Sequence, residues 1–401
     1  MYVVIAGLVV RATLFALFPG LPQALDARVE CTTAVSSWKR FQEGLYQYQH
    51  GGSPYSGGIF HQSPLLLGFF ASIADTVPSQ YWYLAVNCVY TIADVAAALA
   101  LVRIARAKVN DTKFPSLSPA IVAAVYLFNP FTLLSTVARS TLTFTNSLIT
   151  MAAAACVGGR PAQAMTVLAL ASCLSLYPML LAPAFVSLGL ENANGKGVSE
   201  KIVRLVMVFV VSVSLLVGWS YYIAQTWEFL ESTYGIIVHF SELTPNIGLW
   251  WYYFIEMFDF FRPFFTYLFH IYVAAFSVPV AIRFSSYPLF ALCTIVGICS
   301  TFKSYPETSD IGIYFSLLTL CKPVFSLVRY PLPVALVVLY TSVLAPTFYH
   351  LWIDLGSGNS NFFYAITLVY ALGMILLLAD SIWAVLRLEY DGGKDSSVVQ
   401  I

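Results

Sequence analysis

Long apolar runs separated by short polar breaks organise this chain. They cover residues 1–18, 81–102, 117–137, 144–157, 162–190, 203–224, 264–282, 288–302, 310–328, 331–348 and 362–386. Runs of this kind read as membrane helices, because ~30 Å of hydrocarbon at 1.5 Å per residue needs about 20 apolar residues. Within 162–190, Pro178 of Ser175-Leu176-Tyr177-Pro178 breaks the run into a hairpin of two short helices. Residues 64–77 are apolar but too short to span, and read as interfacial or re-entrant. A polar loop, 20–63, precedes them. It holds an amphipathic helix candidate at 38–45 and a turn-rich stretch at 51–58.

Basic residues orient the runs. Arg103, Arg106, Lys108 and Lys113 follow the span 81–102, and Arg160, Lys196, Lys201, Arg204, Arg283, Lys322, Arg329 and Arg387 fall on the same side by parity. That side is expected to be cytoplasmic. The loops 20–63, 139–146, 225–262, 302–307 and 349–361 then face the lumen, and the tally is about twelve spans with both ends inside. Phe18-Pro19-Gly20 follows the first run where a cleaved leader would carry small residues, so that run reads as a retained span. The expected organisation is one multi-pass domain, 1–386, with surface helices in the loop 20–77, and a short cytoplasmic tail, 387–401.

Composition agrees with an all-α polytopic membrane protein. Hydrophobic residues make up 59% and charged residues 10% of the chain, against roughly 25% charged in a soluble domain. The zero formal net charge gives no sign of nucleic-acid binding. The seven cysteines lie singly and the five histidines are scattered, so neither a disulfide framework nor a metal site is expected.

Two stretches carry candidate chemistry. The connection 350–364 sets Trp352, Phe362, Phe363 and Tyr364 around Gly356-Ser357-Gly358-Asn359-Ser360-Asn361. Aromatics settle at headgroup depth, and neutral amides can bond a phosphate or sugar. Equally, Ser360 or Asn361 can simply cap the last helix while the glycines make the turn. The second stretch, 249–262, surrounds Glu256, Asp259 and Arg262 with aromatics and reads as one helix lying along the membrane surface, either over acyl chains or as a plain aromatic belt. Asp94 and Asp380 fall inside spans, where a carboxylate needs a partner. Arg11 can pair with Asp94 or interact with a lipid phosphate, and Asp380 is placed to reach water at the cytoplasmic end.

One span followed by a long lumenal loop and many spans is the layout of membrane glycosyltransferases that use dolichol-linked sugars. Those enzymes place an acidic pair in the first loop. This loop offers Asp26 and Glu30, separated by three residues, with no Asp-x-Asp. A lumenal dolichol-phosphate-sugar-dependent glycosyltransferase is the alternative reading.

A more specific likeness runs along nearly the whole chain. Ser36-Ser37-Trp38-Lys39-Arg40, Glu43-Gly44, Ser53-Pro54-Tyr55-Ser56-Gly57, Phe60-His61, Asn129-Pro130, Ser175-Leu176-Tyr177-Pro178, Leu243-Thr244-Pro245-Asn246-Ile247-Gly248-Leu249, Phe302-Lys303-Ser304-Tyr305-Pro306 and Asn359-Ser360-Asn361-Phe362-Phe363-Tyr364 occur in that order. Together they resemble the PIG-U family (phosphatidylinositol-glycan class U). The resemblance implies a GT-C-like helical fold and a non-catalytic subunit of the endoplasmic-reticulum complex that attaches glycosylphosphatidylinositol (GPI) to protein C-termini. It implies other subunits as partners, including a caspase-like subunit that carries the cysteine nucleophile, and no cofactor. It further implies GPI contacts at Ser357, Asn359, Asn361 and Phe362, with Trp250, Trp251, Phe258 and Arg262 bordering the lipid chains.

The sequon Asn110-Asp111-Thr112 tests the orientation. It falls on the side assigned to the cytoplasm, where no oligosaccharyl transfer occurs, so Asn110 should carry no glycan. An endoglycosidase-sensitive mass shift that vanishes in Asn110→Gln would reverse the topology.

Overall fold

The computed structural model describes residues 2–191 and 197–392. Lys196, with the rest of 192–196, and the tail beyond 392 lie outside the described residues. Every regular element among the described residues is helical, and proline decides where many helices begin. Pro64, Pro119, Pro130, Pro161, Pro288 and Pro331 each open one. At the first helical position the missing N–H has no intrahelical acceptor to lose, whereas further inside it deletes a bond and clashes.

The N-terminal helices are α1 (Tyr2–Leu17), α2 (Leu21–Asp26), α3 (Trp38–Gln49), α4 (Pro64–Thr76), α5 (Trp82–Lys108), α6 (Pro119–Leu127) and α7 (Pro130–Val137). Then come α8 (Leu142–Val157), α9 (Pro161–Leu174), α10 (Ala182–Gly189), α11 (Val198–Ala224), α12 (Glu228–Leu230), α13 (Ile236–His239) and α14 (Trp250–Glu256). The remainder are α15 (Arg262–Ala275), α16 (Ser277–Arg283), α17 (Pro288–Phe302), α18 (Thr308–Leu318), α19 (Lys322–Leu327), α20 (Pro331–Tyr349) and α21 (Ser360–Tyr390).

Among the described residues five helical stretches are long and apolar enough to cross a membrane: 79–108, 198–224, 262–283, 331–354 and 360–390. A sixth is the pair α6–α7, bent by 51° at Phe128-Asn129 because Pro130 cannot continue α6. Six further apolar helices have only 10–17 residues, fewer than the length that the about twelve expected spans presuppose. Their burial explains how short helices can serve. In α17 every residue except Phe302 is buried, so its ends meet protein groups rather than hydrocarbon. In α11, by contrast, only Leu205 and Ser220 are buried.

Two sequence readings need correction. The helix expected over 249–262 stops at Glu256, and Met257 is extended at φ −83°, ψ 138°. Pro263 compels a new helix to start at Arg262, because proline cannot sit inside one. Asp259 and Arg262 still pair at 3.1 Å. Asp380 does not reach water. It is buried and accepts from the Arg329 and Tyr330 backbone N–H groups at 2.7 and 2.9 Å, fixing the entry to α20.

The loops group at two ends of the helix bundle, as the charge pattern anticipates. At one end, here called the loop end, Arg40 meets Glu242, Tyr305 donates to Glu242 O and Tyr252 meets Asn361. At the other, the basic end, Lys108 binds Glu191, Lys322 N donates to Pro115 O and Arg283 binds Glu389. The amphipathic helix expected near 38–45 is α3, which buries Trp38, Phe41, Gly44 and Leu45. This apolar face packs with Phe60, Phe70 and Tyr90.

Arg11 and Asp94 pair inside the bundle, both with essentially no exposure. Tyr126 Oη donates to Asp94 at 2.7 Å, and Arg11 Nη1 donates to Gly7 O and Leu127 O, each at 3.0 Å. The pair thus fastens α1, α5 and α6 together. Asp94→Ala should destabilise the fold by about 3–5 kcal/mol, because it strands a buried charge, while Arg11→Met with Asp94→Leu should recover most of the loss. Unfolding in mixed micelles measures both, and a double variant no more stable than Asp94→Ala would contradict this account.

Candidate lipid-binding site

The loop end is tied together by Glu307, which is fully buried. Its Oε1 accepts from Thr33 N at 3.2 Å, from Thr33 Oγ1 at 3.0 Å and from Ser36 Oγ. Its Oε2 accepts from Ser140 Oγ at 2.6 Å. Glu307 also caps α18 reciprocally with Asp310, whose other carboxylate oxygen binds Lys303 Nζ at 2.7 Å. Three stretches far apart in sequence therefore meet at one carboxyl group. Burial pushes that group up to about 7, although the charge of Lys303 and the bonds from Ser140 and Ser36 oppose the rise.

The two acids of the first loop have different surroundings. Asp26 accepts from Trp38 N at 2.9 Å, Lys39 N at 2.8 Å and Ser37 Oγ at 3.2 Å. It satisfies the first-turn N–H groups of α3 that nothing inside the helix can reach. Glu30 is nearly free: Arg28 lies 3.9 Å from Oε2, and the buried Oε1 has no partner among the described residues. Burial raises its carboxyl above the ordinary glutamate value. Its backbone O accepts from Thr308 N at 3.0 Å, so its position depends on the Glu307 tie.

Glu30 lines a cavity of about 680 Å³, within the ~300–1,000 Å³ of small-molecule pockets. Leu134 of α7, Phe315 of α18, Val334 and Val338 of α20, and Tyr370 and Leu377 of α21 form its walls. Arg28, Glu30 and Cys31 stand at its loop end and Tyr330 and Asp380 at its basic end. It is a long apolar slot with polar groups at both ends, a shape suited to a hydrocarbon chain beneath a polar head. The hydropathy pattern did not disclose it, because wall residues and packed residues are alike apolar.

Above the slot, the connection expected to carry ligand chemistry forms a turn, with Gly356 at φ 62°. Ser357 N and Gly358 N both donate to Leu351 O at 3.0 Å. The cap of α21 is Asn359 rather than Ser360 or Asn361: its Oδ1 accepts from Asn361 N at 3.0 Å. A backbone N–H can only donate, so this bond fixes the amide orientation. Asn361 Oδ1 accepts from Tyr252 Oη. Both amides therefore direct their oxygens inward, and neither NH₂ has a partner among the described residues. Ile366 and Thr367, which line the slot, lie less than two turns along α21 from Asn361.

The sequence-predicted residues separate into two groups. Ser357, Asn359, Asn361 and Phe362 are exposed together at the turn. Phe258 is 80% exposed, and Arg262 is half-buried beside Asp259. Trp250 and Trp251 are buried. Trp250 Nε1 donates to Phe302 O at 2.8 Å, while Trp251 packs on Trp352, Phe363 and Tyr364 as a platform under the turn. Residue spacing also gave no sign of a second cluster, in which Arg40 binds Glu242 through both oxygens and His61 Nε2 stands 3.1 Å away. Burial opposes the Glu242 charge, but the bonds from His61 and Arg40 prevail and hold the carboxyl at about 2.

Comparison with known proteins supplies the context. A family model described as GPI transamidase subunit PIG-U matches residues 5–370. The chain is 38% identical over 392 residues to GPI transamidase component GAB1 of Saccharomyces cerevisiae, covering 98% of this chain and 95% of that protein. It is 34% identical over 418 residues to GPI-anchor transamidase component PIGU of Homo sapiens, covering 97% and 94%. Against the GPI transamidase component GAB1 homolog of Schizosaccharomyces pombe it is 35% identical over 379 residues, covering 92% and 90%.

The Glu307 tie has a pH signature. A carboxyl raised above its ordinary value of 4.5 favours the protonated form, so its contribution is complete below that value and is lost as pH rises through about 7. Between pH 5 and 8 the thermal midpoint of the wild type should fall relative to that of Glu307→Gln. A constant difference across that range would contradict the assignment.

Proposed function

We propose, from the premise that this chain belongs to the PIG-U family of GPI transamidase subunits, that it holds the GPI lipid for the complex without performing the chemistry. As a GPI transamidase component it works among other subunits in a membrane. In this reading the membrane is that of the endoplasmic reticulum. The short apolar helices complete about twelve crossings in a GT-C-like arrangement, and a caspase-like subunit supplies the cysteine.

The slot between α20 and α21 carries the reading. One hydrocarbon chain of the GPI enters it, and the headgroup rests at the loop end, where Arg28, Glu30 and the outward amides of Asn359 and Asn361 supply polar contacts. Phe362 and Phe258, both exposed, meet lipid at the interface. Trp250 and Trp251 contribute indirectly, by supporting the turn.

The glycosyltransferase alternative has one acid with an unoccupied oxygen, Glu30, since Asp26 is bound to the start of α3. A loss of ~10²-fold or more in Glu30→Gln, with the complex intact, would favour a general acid or base. Anchor attachment within a few-fold of wild type is the result expected here.

Two variants test the lipid reading directly. Asn361→Ala removes one donor, and a lost hydrogen bond to a charged phosphate costs ~1.5–3 kcal/mol, roughly ten- to a hundredfold in affinity. Ala335→Trp projects into the slot from an exposed wall position. Both should reduce the GPI that co-purifies with the complex while subunit assembly persists. Undiminished GPI in both would remove the slot and the turn from the binding site.

A further inference from the structure

Among the described residues two arginines are buried, and only one of them has a carboxylate partner. Arg11 is neutralised by Asp94. Arg139 is 7% exposed, and among the described residues no carboxylate lies within ion-pair distance of it. Asp26 influences it electrostatically but is already bonded to the start of α3. Arg139 Nε donates to Asn87 Oδ1 at 2.9 Å, and neither Nη has a partner among the described residues. The guanidinium stands 6.0 Å from the Phe15 ring centre and 5.5 Å from that of Tyr83.

The backbone here is unusual too. Arg139 has φ 60°, in the left-handed region, which a glycine would adopt without strain and a residue bearing a Cβ adopts only under constraint. The turn sends Ser140 inward to Glu307 and Arg139 toward α1 and α5. A guanidinium on a residue only 7% exposed, with both Nη groups reaching the surface and free of protein partners among the described residues, points to an anionic ligand. The surrounding surface indicates its class: Leu17, Phe18, Tyr83 and Leu84 are all more than half exposed, an apolar and aromatic patch at the loop end of a membrane span. A cation under such a patch sits at headgroup depth.

We propose that Arg139 holds the phosphodiester of a membrane phospholipid at the loop end of α1 and α5, through its two free Nη groups, with Tyr83 and Phe15 as aromatic walls. None of these residues lines the α20–α21 slot, so this site is separate from the one assigned to GPI.

The test uses the purified complex, delipidated in neutral detergent and supplied with dioleoylphosphatidylglycerol, dioleoylglycerol or inorganic phosphate. Native mass spectrometry counts retained lipid and a thermal scan follows stability. Phosphatidylglycerol should be retained and should raise the midpoint, while dioleoylglycerol does neither. In Arg139→Gln retention should fall about tenfold, and Arg139→Lys, which keeps the charge without the fork, should fall between the two. Equal retention in wild type and Arg139→Gln overturns the proposal. A midpoint rise from inorganic phosphate that matches phosphatidylglycerol would assign the site to a free anion and overturn the lipid claim. Where Arg139→Gln fails to assemble, Tyr83→Ala removes an exposed wall instead, and unchanged retention in that variant overturns the proposal equally.

Discussion

A carboxylate in an apolar helix bundle must collect donors, and Glu307 collects them from two distant stretches. Thr33 and Ser36 come from the first loop and Ser140 from the α7–α8 turn, while Glu307 itself caps α18. An unsatisfied buried polar group costs more than one hydrogen bond returns, so all of these bonds must form together. That requirement sets the floor of the loop end. It places Glu30 at the mouth of the slot through Thr308 N, and it holds Ser140, the neighbour of the left-handed Arg139, at the floor.

The slot and its rim play different physical roles. Moving a lipid chain from bilayer to an apolar cavity gains little, because hydrocarbon tails are as apolar as the wall residues. The ~0.8 kcal/mol per CH₂ that rewards burial applies only to transfer from water. Under the proposed lipid reading, discrimination among lipids would therefore have to come from the few polar groups at the rim: Arg28, the orphan oxygen of Glu30 and the amides of Asn359 and Asn361. The aromatic stack of Trp251, Trp352, Phe363 and Tyr364 keeps that rim in place from below.

Helix length follows the same logic of who the neighbour is. The long helix α11 shows most of its surface to the outside, and its 27 residues suit the hydrocarbon thickness. The buried α17 has 15 residues and is walled by protein. A hydropathy reading that assigns one crossing to each apolar run treats the two alike, and so it finds more full-length spans than the helices themselves provide.

Much was nevertheless determined by the sequence alone. The helical class, the break near Pro178, the amphipathic α3 and the division of loops between two ends follow from local patterns with local causes, and Arg11 was legible as a candidate partner for Asp94. Tertiary structure decided the rest. It buried Trp250 and Trp251, for which the family resemblance implied a place at the lipid border, and gave Asp380 two backbone donors in place of water. It opened a slot among residues no different in kind from their packed neighbours, and it left Arg139 without the carboxylate that Arg11 has. The reason is that hydropathy records whether a side chain avoids water. Protein interior and lipid are both good answers to that demand, and only the packing of distant segments chooses between them.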